Sequence, residues 1–215
     1  MRDHPWQFDE RGGLMVTGVI LAAGQGQRMG QPKQLLPLGG KPMVWHVAAT
    51  ACQAALDQVI VITGSYHAEV KQVLQDLPLK VLYNDNWAQG QAASVKKAVQ
   101  SVRDETGAIL FLLADQPLVD IELINKLVRT YRETGTSIIM PRWHSQPGNP
   151  VLFDMKVWRS ALLQLSGDEG ARQIIKQHQT VVHYIEISDR QAFFDVDTQP
   201  EYDKMQKLWQ VLKKS

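Results

Sequence analysis

The sequence predicts one α/β domain in which a mostly parallel central sheet packs against helices. Short apolar runs at residues 59–64 and 108–113 are typical of parallel strands that are buried on both faces. Segments with apolar residues at helical spacing alternate with these runs, which is the pattern of βαβ units. The length of 215 residues suits a single domain of this kind with a sizeable core.

We predict the elements in chain order from hydrophobic periodicity and from Gly and Pro breaks. The first strand is the apolar run at 19–21, and residues 43–56 have helical spacing without a breaker. Further strands are predicted at 59–64, 79–83, 108–113, 137–140 and 181–187, with the very hydrophobic run at 108–113 in the centre. Further helices are predicted at 66–75, 91–102, 119–133 and 155–165. Residues 167–172 are expected to open another helix, and a final helix is expected to end near residue 213. Residues 141–153 are expected to form a long irregular loop.

Charge and composition exclude several classes of protein. A net charge of +1 gives no reason to expect binding to nucleic acid or to an anionic membrane. The single Cys52 excludes an intramolecular disulfide and is typical of a reducing cytoplasm, and its apolar helical surroundings favour a packing role. No apolar run approaches the length of a membrane span. Residues 1–16 lack the apolar core of a signal peptide, so we expect a flexible extension before a single cytoplasmic domain at 17–215.

Three glycines follow the first strand, and they predict a phosphate-binding loop. Gly24, Gly26 and Gly30 let the backbone approach a ligand closely, and successive N–H groups in such a loop form an anion site. Arg28 and Lys33 add positive charge, so the loop suits a polyphosphate. The spacing is one residue too long for the dinucleotide fingerprint, and the Lys of a Walker loop is missing after the last glycine. An ordinary β-to-α turn is the alternative interpretation.

A carboxylate follows the most hydrophobic strand. Asp115 stands at the carboxyl end of a central strand, where α/β sheets bind ligands, and Pro117 ends the strand. Mg²⁺ takes one or two protein carboxylates and completes its shell with water and phosphate oxygens, so Asp115 suits a metal ligand. The alternative is a cap for the following helix. The six histidines lack metal-ligand spacing.

Residues 21–33 read L-A-A-G-x-G-x-R-M-G-x-x-K and resemble the signature of the MobA-like nucleotidyltransferases. Within that family, the branch of molybdenum cofactor cytidylyltransferases is the most similar, and the resemblance covers residues 17–203. Further motifs of the family are N-x-x-[WY]-x-x-G-x-x-x-S at 84–94, [GA]-D-x-P at 114–117 and D-[IV]-D-T at 195–198. The resemblance implies a Rossmann-like three-layer α/β/α sandwich of the nucleotide-diphospho-sugar transferase type.

The resemblance also implies roles for individual residues. Arg28, Lys33 and Asp115 are the predicted catalytic residues, the first two holding phosphates and the third being the principal Mg²⁺ ligand. Asp195 is the first choice for a second metal position and Asp197 the second choice. The residues predicted to bind the nucleotide are Leu21, Ala22, Ala23, Gly24, Gly26, Arg28, Lys33, Gly90, Ser94 and Asp115, of which Gly90 and Ser94 would lie against the base. Ala23 is Gly in guanylyl-transferring relatives, which favours CTP.

The acceptor is expected to bind near residues 141–153 and 167–172. Family members often have G-H-P where this chain has Gly148-Asn149-Pro150, so Asn149 is a departure that leaves the exact acceptor open. Asp168 and Arg172 belong to a G-D-x-G-A-R motif that is frequent in the cytidylyltransferase-like branch. A helix N-cap is an equally weighted alternative for Asp168.

Together these features predict Mg²⁺-dependent transfer of a nucleoside monophosphate, preferably CMP from CTP, to a phosphorylated acceptor. The resemblance alone points to a molybdopterin-type molybdenum cofactor as the acceptor and to a molybdoenzyme or its chaperone as the partner that receives the product. A sugar phosphate or polyol phosphate stays open, because the same loop and Asp pair would serve it. A non-catalytic carrier of nucleotide or cofactor would not need both carboxylates, and the glycine spacing argues against a dinucleotide-dependent oxidoreductase.

Overall fold

The computed structural model describes residues 14–24 and 32–212, which form ten strands and seven α-helices. The strands are β1 Met15–Ala22, β2 Pro37–Leu38, β3 Lys41–Pro42, β4 Gln58–Thr63, β5 Lys80–Tyr83, β6 Thr106–Leu113, β7 Ile138–Trp143, β8 Gln146–Pro147, β9 Val151–Asp154 and β10 Val182–Glu186. The helices are α1 Met43–Gln53, α2 His67–Val73, α3 Gln91–Ser101, α4 Ile121–Thr134, α5 Met155–Gln164, α6 Arg172–Gln177 and α7 Gln199–Leu212.

The main sheet has the strand order β10-β7-β9-β6-β1-β4-β5, with β8 added to β7. Strands β6, β1, β4 and β5 are parallel neighbours, and β7 is parallel to β10. Strand β9 is antiparallel to both β6 and β7 and joins the two parallel groups. The most hydrophobic run, β6, is central, as predicted, because both of its edges are paired.

Helices cover both faces of the sheet, because its central strands are apolar on both sides. In β6, Leu110 and Leu112 pack into a core with α1, α2 and α4, whereas Ile109 and Phe111 pack into a core with α3, α5 and α6. This alternation is the period-two pattern of a strand that is buried on both faces. The prediction of a three-layer α/β/α sandwich with a mostly parallel central sheet is confirmed.

The parallel strands bring their carboxyl ends to one edge of the sheet. Strands β1, β4, β5, β6, β7 and β10 all end there, and the glycine-containing segment after β1 and Asp115 after β6 therefore meet at this edge. Strand β1 begins at Met15, two residues before the domain boundary that the sequence predicts. The predicted flexible extension otherwise falls on residues 1–13, which lie outside the described part of the chain.

The prediction of a long irregular loop at residues 141–153 is wrong. Strand β7 continues to Trp143, which pairs with Gln146 in the short hairpin β7–β8, and β9 already begins at Val151. Gly148 closes the connection, since its N–H donates to the Pro141 carbonyl oxygen at 3.0 Å. A two-residue strand such as β8 is too short to show a hydrophobic period, so the sequence pattern does not reveal it.

Candidate functional site

A cavity of about 600 Å³ opens at the carboxyl edge of the sheet. Its walls come from the end of β1, the end of β6, the beginning of α3 and the segment before α7. Ten of the residues that the sequence predicts for the site line it: Leu21, Ala22, Ala23, Gly24, Lys33, Gly90, Ser94, Asp115, Asp168 and Asp197. The sequence did not identify its other lining residues, which are Gln34, Trp87, Ala88, Gln91, Leu113 and Ala114.

The charged centre of the cavity is Lys33, whose ammonium lies between two carboxylates. Its Nζ forms an ion pair with Asp115 and donates to Asp197 Oδ1 at 2.7 Å. Burial lowers the pKa of Lys33, but the charges and hydrogen bonds of the two carboxylates outweigh it, so the pKa lies above its ordinary value. The lysine is therefore held in its charged form, and it links the beginning of the chain to the segment before α7.

Asp115 lies in the turn that follows β6. The Ala114 N–H donates to the Leu21 carbonyl oxygen at 3.2 Å, which extends the pairing of β6 with β1 and fixes this turn. The alternative role for Asp115, capping the following helix, is wrong. Asp120 caps α4 instead, because its carboxylate accepts from the Leu123 N–H at 2.7 Å.

The second acidic segment is held by a buried residue between its two carboxylates. Val196 is fully buried in a small core with Leu38, Met43 and Met205. Asp197 therefore follows an anchored residue, and it is this carboxylate that contacts Lys33. Asp195 remains exposed, and reduced hydration together with the nearby negative charges of Asp115 and Asp197 raises its pKa.

Glu201 fixes the backbone around Asp197. Its carboxylate accepts from the N–H groups of Asp197 at 3.0 Å and Thr198 at 2.8 Å, and also from the Thr198 hydroxyl at 2.8 Å. These hydrogen bonds, that of the Thr198 side chain first, lower the pKa of Glu201. The Tyr202 hydroxyl donates to the Pro37 carbonyl oxygen, so α7 is also tied to the segment that follows Lys33.

Gln34 is a site residue that the sequence analysis missed. Its side chain is buried, and its Nε2 donates to the carbonyl oxygens of Gly24 at 3.1 Å and Ala22 at 3.4 Å. These carbonyls belong to the last residue of β1 and to the beginning of the glycine loop, so one amide holds the backbone where the strand passes into the loop. In the sequence, Gln34 is a single amide next to Leu35 and Leu36, and the pattern does not say which way its side chain points.

The opposite wall of the cavity is built around the first turn of α3. Ser94 is buried, and its hydroxyl accepts from Asn84 Nδ2 at 3.2 Å. Gly90 has φ +96° and touches the loop at residues 167–170 so closely that a Cβ there would overlap the Asp168 carboxylate. The loop is also bonded to α3, because the Ala92 N–H donates to the Gly167 carbonyl oxygen at 3.1 Å.

An aromatic ring closes the cavity beside the end of β1. Trp87 packs on Gly64, where an added Cβ would lie 2.9 Å from the ring and 2.6 Å from the Ala23 carbonyl oxygen. A side chain at position 64 would therefore push the indole away from the glycine loop. Trp87 is half-buried and gives the cavity a flat apolar surface.

Some predicted residues do not reach the cavity. Asn149 follows β8 and Arg172 is the exposed first residue of α6, and neither lines the cavity. Gly26 and Arg28 fall on residues outside the described part of the chain. The N-cap alternative for Asp168 is wrong, because α6 begins only at residue 172 and has Ala171 at its N-cap.

The donor set fits a hard divalent cation that is shared with a phosphate ligand. Asp115 and Asp197 both reach the same ammonium, so their oxygens converge on one small cation. Mg²⁺ commonly takes one or two protein carboxylates and fills its shell with water and phosphate oxygens. Within residues 14–24 and 32–212, no group of three or more His, Cys, Asp or Glu side chains could enclose a metal by itself. The two carboxylates would therefore hold a metal only together with other oxygen ligands.

The sequence matches a known protein family over most of its length and is similar to several known proteins. The profile of the MobA-like NTP transferase domain matches residues 18–181. The chain is 30% identical over 190 residues to nicotine blue oxidoreductase of Paenarthrobacter nicotinovorans, which covers 85% of this chain and 92% of the relative. It is 32% identical over 202 residues to purine catabolism protein PucB of Bacillus subtilis (strain 168), which covers 89% of this chain and 96% of the relative.

The structure is also similar to solved structures. The crystal structure of Rv0371c from Mycobacterium tuberculosis H37Rv aligns with a TM-score of 0.81 and 27% identity, covering 91% of this chain and 99% of that chain. A second structure of Rv0371c, a complex with manganese, aligns with a TM-score of 0.75 and 25% identity. The alignment covers 90% of this chain and 98% of that chain. In the described ranges, no helix combines the length and the hydropathy that crossing a bilayer requires.

Proposed function

Because the chain belongs to the MobA-like NTP transferase family, which confirms the family predicted from the sequence, we propose that it transfers CMP from CTP to a phosphorylated acceptor. Nucleotidyl transfer is the activity typical of this family. The observation that carries the proposal is Lys33 between Asp115 and Asp197, at the sheet edge where the glycine loop begins. This site offers a cation for phosphates and two carboxylates for a metal ion, and its cavity is large enough for a nucleotide.

The proposed reaction is an in-line displacement at phosphorus. An oxygen of the acceptor phosphate attacks the α-phosphorus, a new P–O–P bond forms, the bond from the α-phosphorus to the bridging oxygen breaks, and pyrophosphate leaves. Such a step needs positioning and charge stabilisation rather than a protein nucleophile. Lys33 would bind phosphate oxygens and stabilise the negative charge on the departing pyrophosphate. Arg28 is proposed for the same role from the sequence motif.

Asp115 and Asp197 would hold Mg²⁺, with Asp195 as a nearby alternative. The bound ion would supply Lewis-acid polarisation of phosphate oxygens and neutralise their charge. In the protein, Val196 and Glu201 keep the Asp197 backbone fixed, so this carboxylate would be in place before the nucleotide binds. The manganese complex of Rv0371c supports a divalent cation in a similar protein.

The nucleotide base would lie between Ala23, at the end of β1, and the opposite wall with Gly90 and Ser94. Ala23, as the cytidylyl-type residue of the signature, supports CTP as the donor. Gln34 would hold the loop backbone against the nucleotide, because its amide donates to the Ala22 carbonyl at the end of β1 and to the Gly24 carbonyl in the loop. Trp87 adds a flat surface on which a planar base can stack.

A molybdopterin-type cofactor is the proposed acceptor, with a molybdoenzyme or its chaperone receiving the product in the cytoplasm. Asp168 lines the cavity on the side away from β1 and would contact the acceptor. Asn149 and Arg172 would contribute only if the acceptor extends beyond the cavity. A sugar phosphate or polyol phosphate would use the same phosphate chemistry, so the acceptor has to be identified by experiment.

An oxidoreductase is the second candidate, because nicotine blue oxidoreductase covers nearly the whole chain at 30% identity. The glycine spacing after β1 does not match the dinucleotide fingerprint. The site also concentrates its charge on Lys33 and two carboxylates, which suits phosphate and metal binding more than hydride transfer. Calorimetric titration with NADH and NADPH tests this candidate, and tight binding of either would support it.

The deciding experiment measures pyrophosphate release. The purified protein is incubated with each of the four NTPs and Mg²⁺, with and without molybdenum cofactor, and with a panel of sugar and polyol phosphates. We expect release only with CTP and the cofactor. Release with another acceptor would replace the proposed substrate, and no release from any combination would favour a carrier.

Variants link the activity to the site. Asp115→Asn should lower turnover about a hundredfold or more, as the loss of an electrostatic group at a reacting phosphate does. Asp85→Asn is the matched control, because Asp85 is an exposed carboxylate whose nearest cation, Lys97, lies 3.9 Å away. Equal activity of both variants would contradict the assignment of Asp115.

A further inference from the structure

We propose that Lys33 acts as an exchangeable internal cation, which occupies the position between Asp115 and Asp197 until a divalent metal displaces it. The displaced ammonium then binds the phosphates of the incoming nucleotide. This inference rests on the proposed function for the identity of the nucleotide. The competition between Lys33 and the metal for the two carboxylates is inferred from the contacts within the protein alone.

The contacts of Lys33 prevent a metal from binding the same two carboxylate oxygens while the ammonium is in place. Its Nζ lies 2.7 Å from Asp197 Oδ1 and is in direct contact with Asp115 Oδ2. A Mg²⁺ ion bound to both of these oxygens, at about 2.0–2.1 Å from each, would occupy the space that the ammonium fills. Two cations at that separation would also repel each other strongly. The ammonium therefore has to leave before a metal binds Asp115 Oδ2 and Asp197 Oδ1 together.

The two carboxylates bind the ammonium strongly, so its displacement by a metal costs free energy when no nucleotide is present. Charge-assisted hydrogen bonds to carboxylates are about twice as strong as neutral ones, and Lys33 makes two of them. Its side chain is 22% exposed and that of Asp115 only 14%, so water screens the Asp115 contact weakly. The ammonium of Lys33 therefore compensates the negative charges of the two carboxylates when no metal is bound.

A nucleoside triphosphate changes this balance, because its phosphates offer Lys33 another anionic partner in the same cavity. Lys33 and the beginning of the glycine loop both line that cavity, so the ammonium can move from carboxylate to phosphate without leaving it. The binding of metal and nucleotide is then coupled, and by linkage each raises the affinity of the protein for the other. A long flexible lysine side chain suits this movement, whereas the planar guanidinium of arginine would hold a carboxylate more rigidly.

The test measures Mn²⁺ binding to the nucleotide-free protein by electron paramagnetic resonance, which counts free Mn²⁺ directly. We expect weak binding to the wild type and at least tenfold tighter binding to Lys33→Met, which lacks the ammonium of Lys33. Lys33→Arg should bind Mn²⁺ as weakly as the wild type, since it keeps the positive charge. Lys97→Met is the matched control, because its ammonium is 3.9 Å from Asp85 and does not line the cavity, and it should not change Mn²⁺ affinity.

Unchanged or weaker Mn²⁺ binding in Lys33→Met would overturn the exchange. If that variant does not fold, as judged by circular dichroism, the wild type provides the decisive measurement. The ¹⁵N resonance of the Lys33 ammonium, assigned by its loss in Lys33→Arg, should shift when Mg²⁺ and a non-hydrolysable CTP analogue are added together. No shift at saturating concentrations of both would overturn the proposal.

This test separates the exchange from the proposed reaction. Tighter Mn²⁺ binding in Lys33→Met together with no pyrophosphate release from any NTP would support the exchange and contradict the reaction. Pyrophosphate release by the wild type together with unchanged Mn²⁺ binding in Lys33→Met would support the reaction and overturn the exchange.

Discussion

The replacement Gly90→Ala should be among the most disruptive single-methyl changes near the cavity. Gly90 has φ +96° and ψ −178°, a backbone region that is essentially restricted to glycine. An added Cβ would overlap Asp168 Oδ1 and would lie 2.8 Å from the backbone oxygen of Gly167. The Asp168 side chain can rotate away. The Gly167 oxygen cannot, because it accepts a hydrogen bond from the Ala92 N–H at 3.1 Å.

The free energy of unfolding should fall by about 2–4 kcal/mol. The strained backbone contributes about 1–3 kcal/mol. Weakening the hydrogen bond between Ala92 and Gly167 adds about 1 kcal/mol. For a domain of this size, each kcal/mol shifts the melting temperature by about 2–4 °C, so a loss of about 4–16 °C is expected.

Urea unfolding, followed by circular dichroism and tryptophan fluorescence, measures this loss, with Gly135→Ala as the matched control. Gly135 also has a positive φ, +63°, at the end of α4, but a Cβ there meets no atom within 4 Å. Its replacement should cost only about 1–2 kcal/mol, the ordinary penalty of a left-handed residue. Adding Asp168→Ala to Gly90→Ala should restore little stability. Equal losses at the two glycines, or full rescue by Asp168→Ala, would refute the reasoning.

Three further predictions concern single side chains. Gln34→Met should weaken CTP binding about tenfold in calorimetry, because it removes the amide that holds the loop backbone and leaves the buried Ala22 carbonyl without this donor, a loss of about 1–3 kcal/mol. Tyr131→Phe should lower the free energy of unfolding by about 1.5–3 kcal/mol, because the buried hydroxyl lies 2.9 Å from both the Gly107 carbonyl oxygen and the Asp154 carboxylate. Glu201→Gln should destabilise the protein modestly at pH 7. Because the folded protein lowers the pKa of Glu201, its ionised form stabilises above the ordinary value of 4.5, and the difference from the wild type should disappear as the pH falls through the lowered pKa.

Each of these predictions has a control. Gln100→Met changes an exposed glutamine of α3 and should leave CTP affinity unchanged. Tyr83→Phe removes a hydroxyl from a residue that is 42% exposed and should leave the urea midpoint unchanged. For Glu201→Gln, a stability difference that persists at pH 2–3 would show that packing, and not the ionised carboxylate, is responsible. A wild-type midpoint in Tyr131→Phe, or unchanged CTP affinity in Gln34→Met, would contradict those two predictions.

The sequence was informative where a chemical group follows directly from a strand. Asp115 comes two residues after a buried run, and the carboxyl ends of parallel strands share one edge, so its place in the cavity could be predicted. Lys33 was predicted from its charge beside the glycines. Its contact with Asp197, 164 residues further along the chain, could not be predicted, because no local pattern specifies such a distant pair.

Other features depend on tertiary contacts that leave no periodic signal. Gln34 points inward because the carbonyls of Ala22 and Gly24 need donors, and a single polar residue in a short turn does not show its direction. Asp168 fits a helix cap and a cavity wall equally well in sequence. The positive φ of Gly167 and Gly170 decides between them, because it delays the start of α6 until residue 172.

The antiparallel strand β9 has a consequence for the chain during synthesis. Strand β6 pairs with β1 on one edge, and its other edge is covered only by residues 151–154. A chain that has been made only as far as α4 can assemble β5, β4, β1 and β6, but it presents the most apolar strand of the protein as an open edge. Open apolar edges recruit strands from other chains, so the nascent protein is vulnerable to aggregation until β9 emerges.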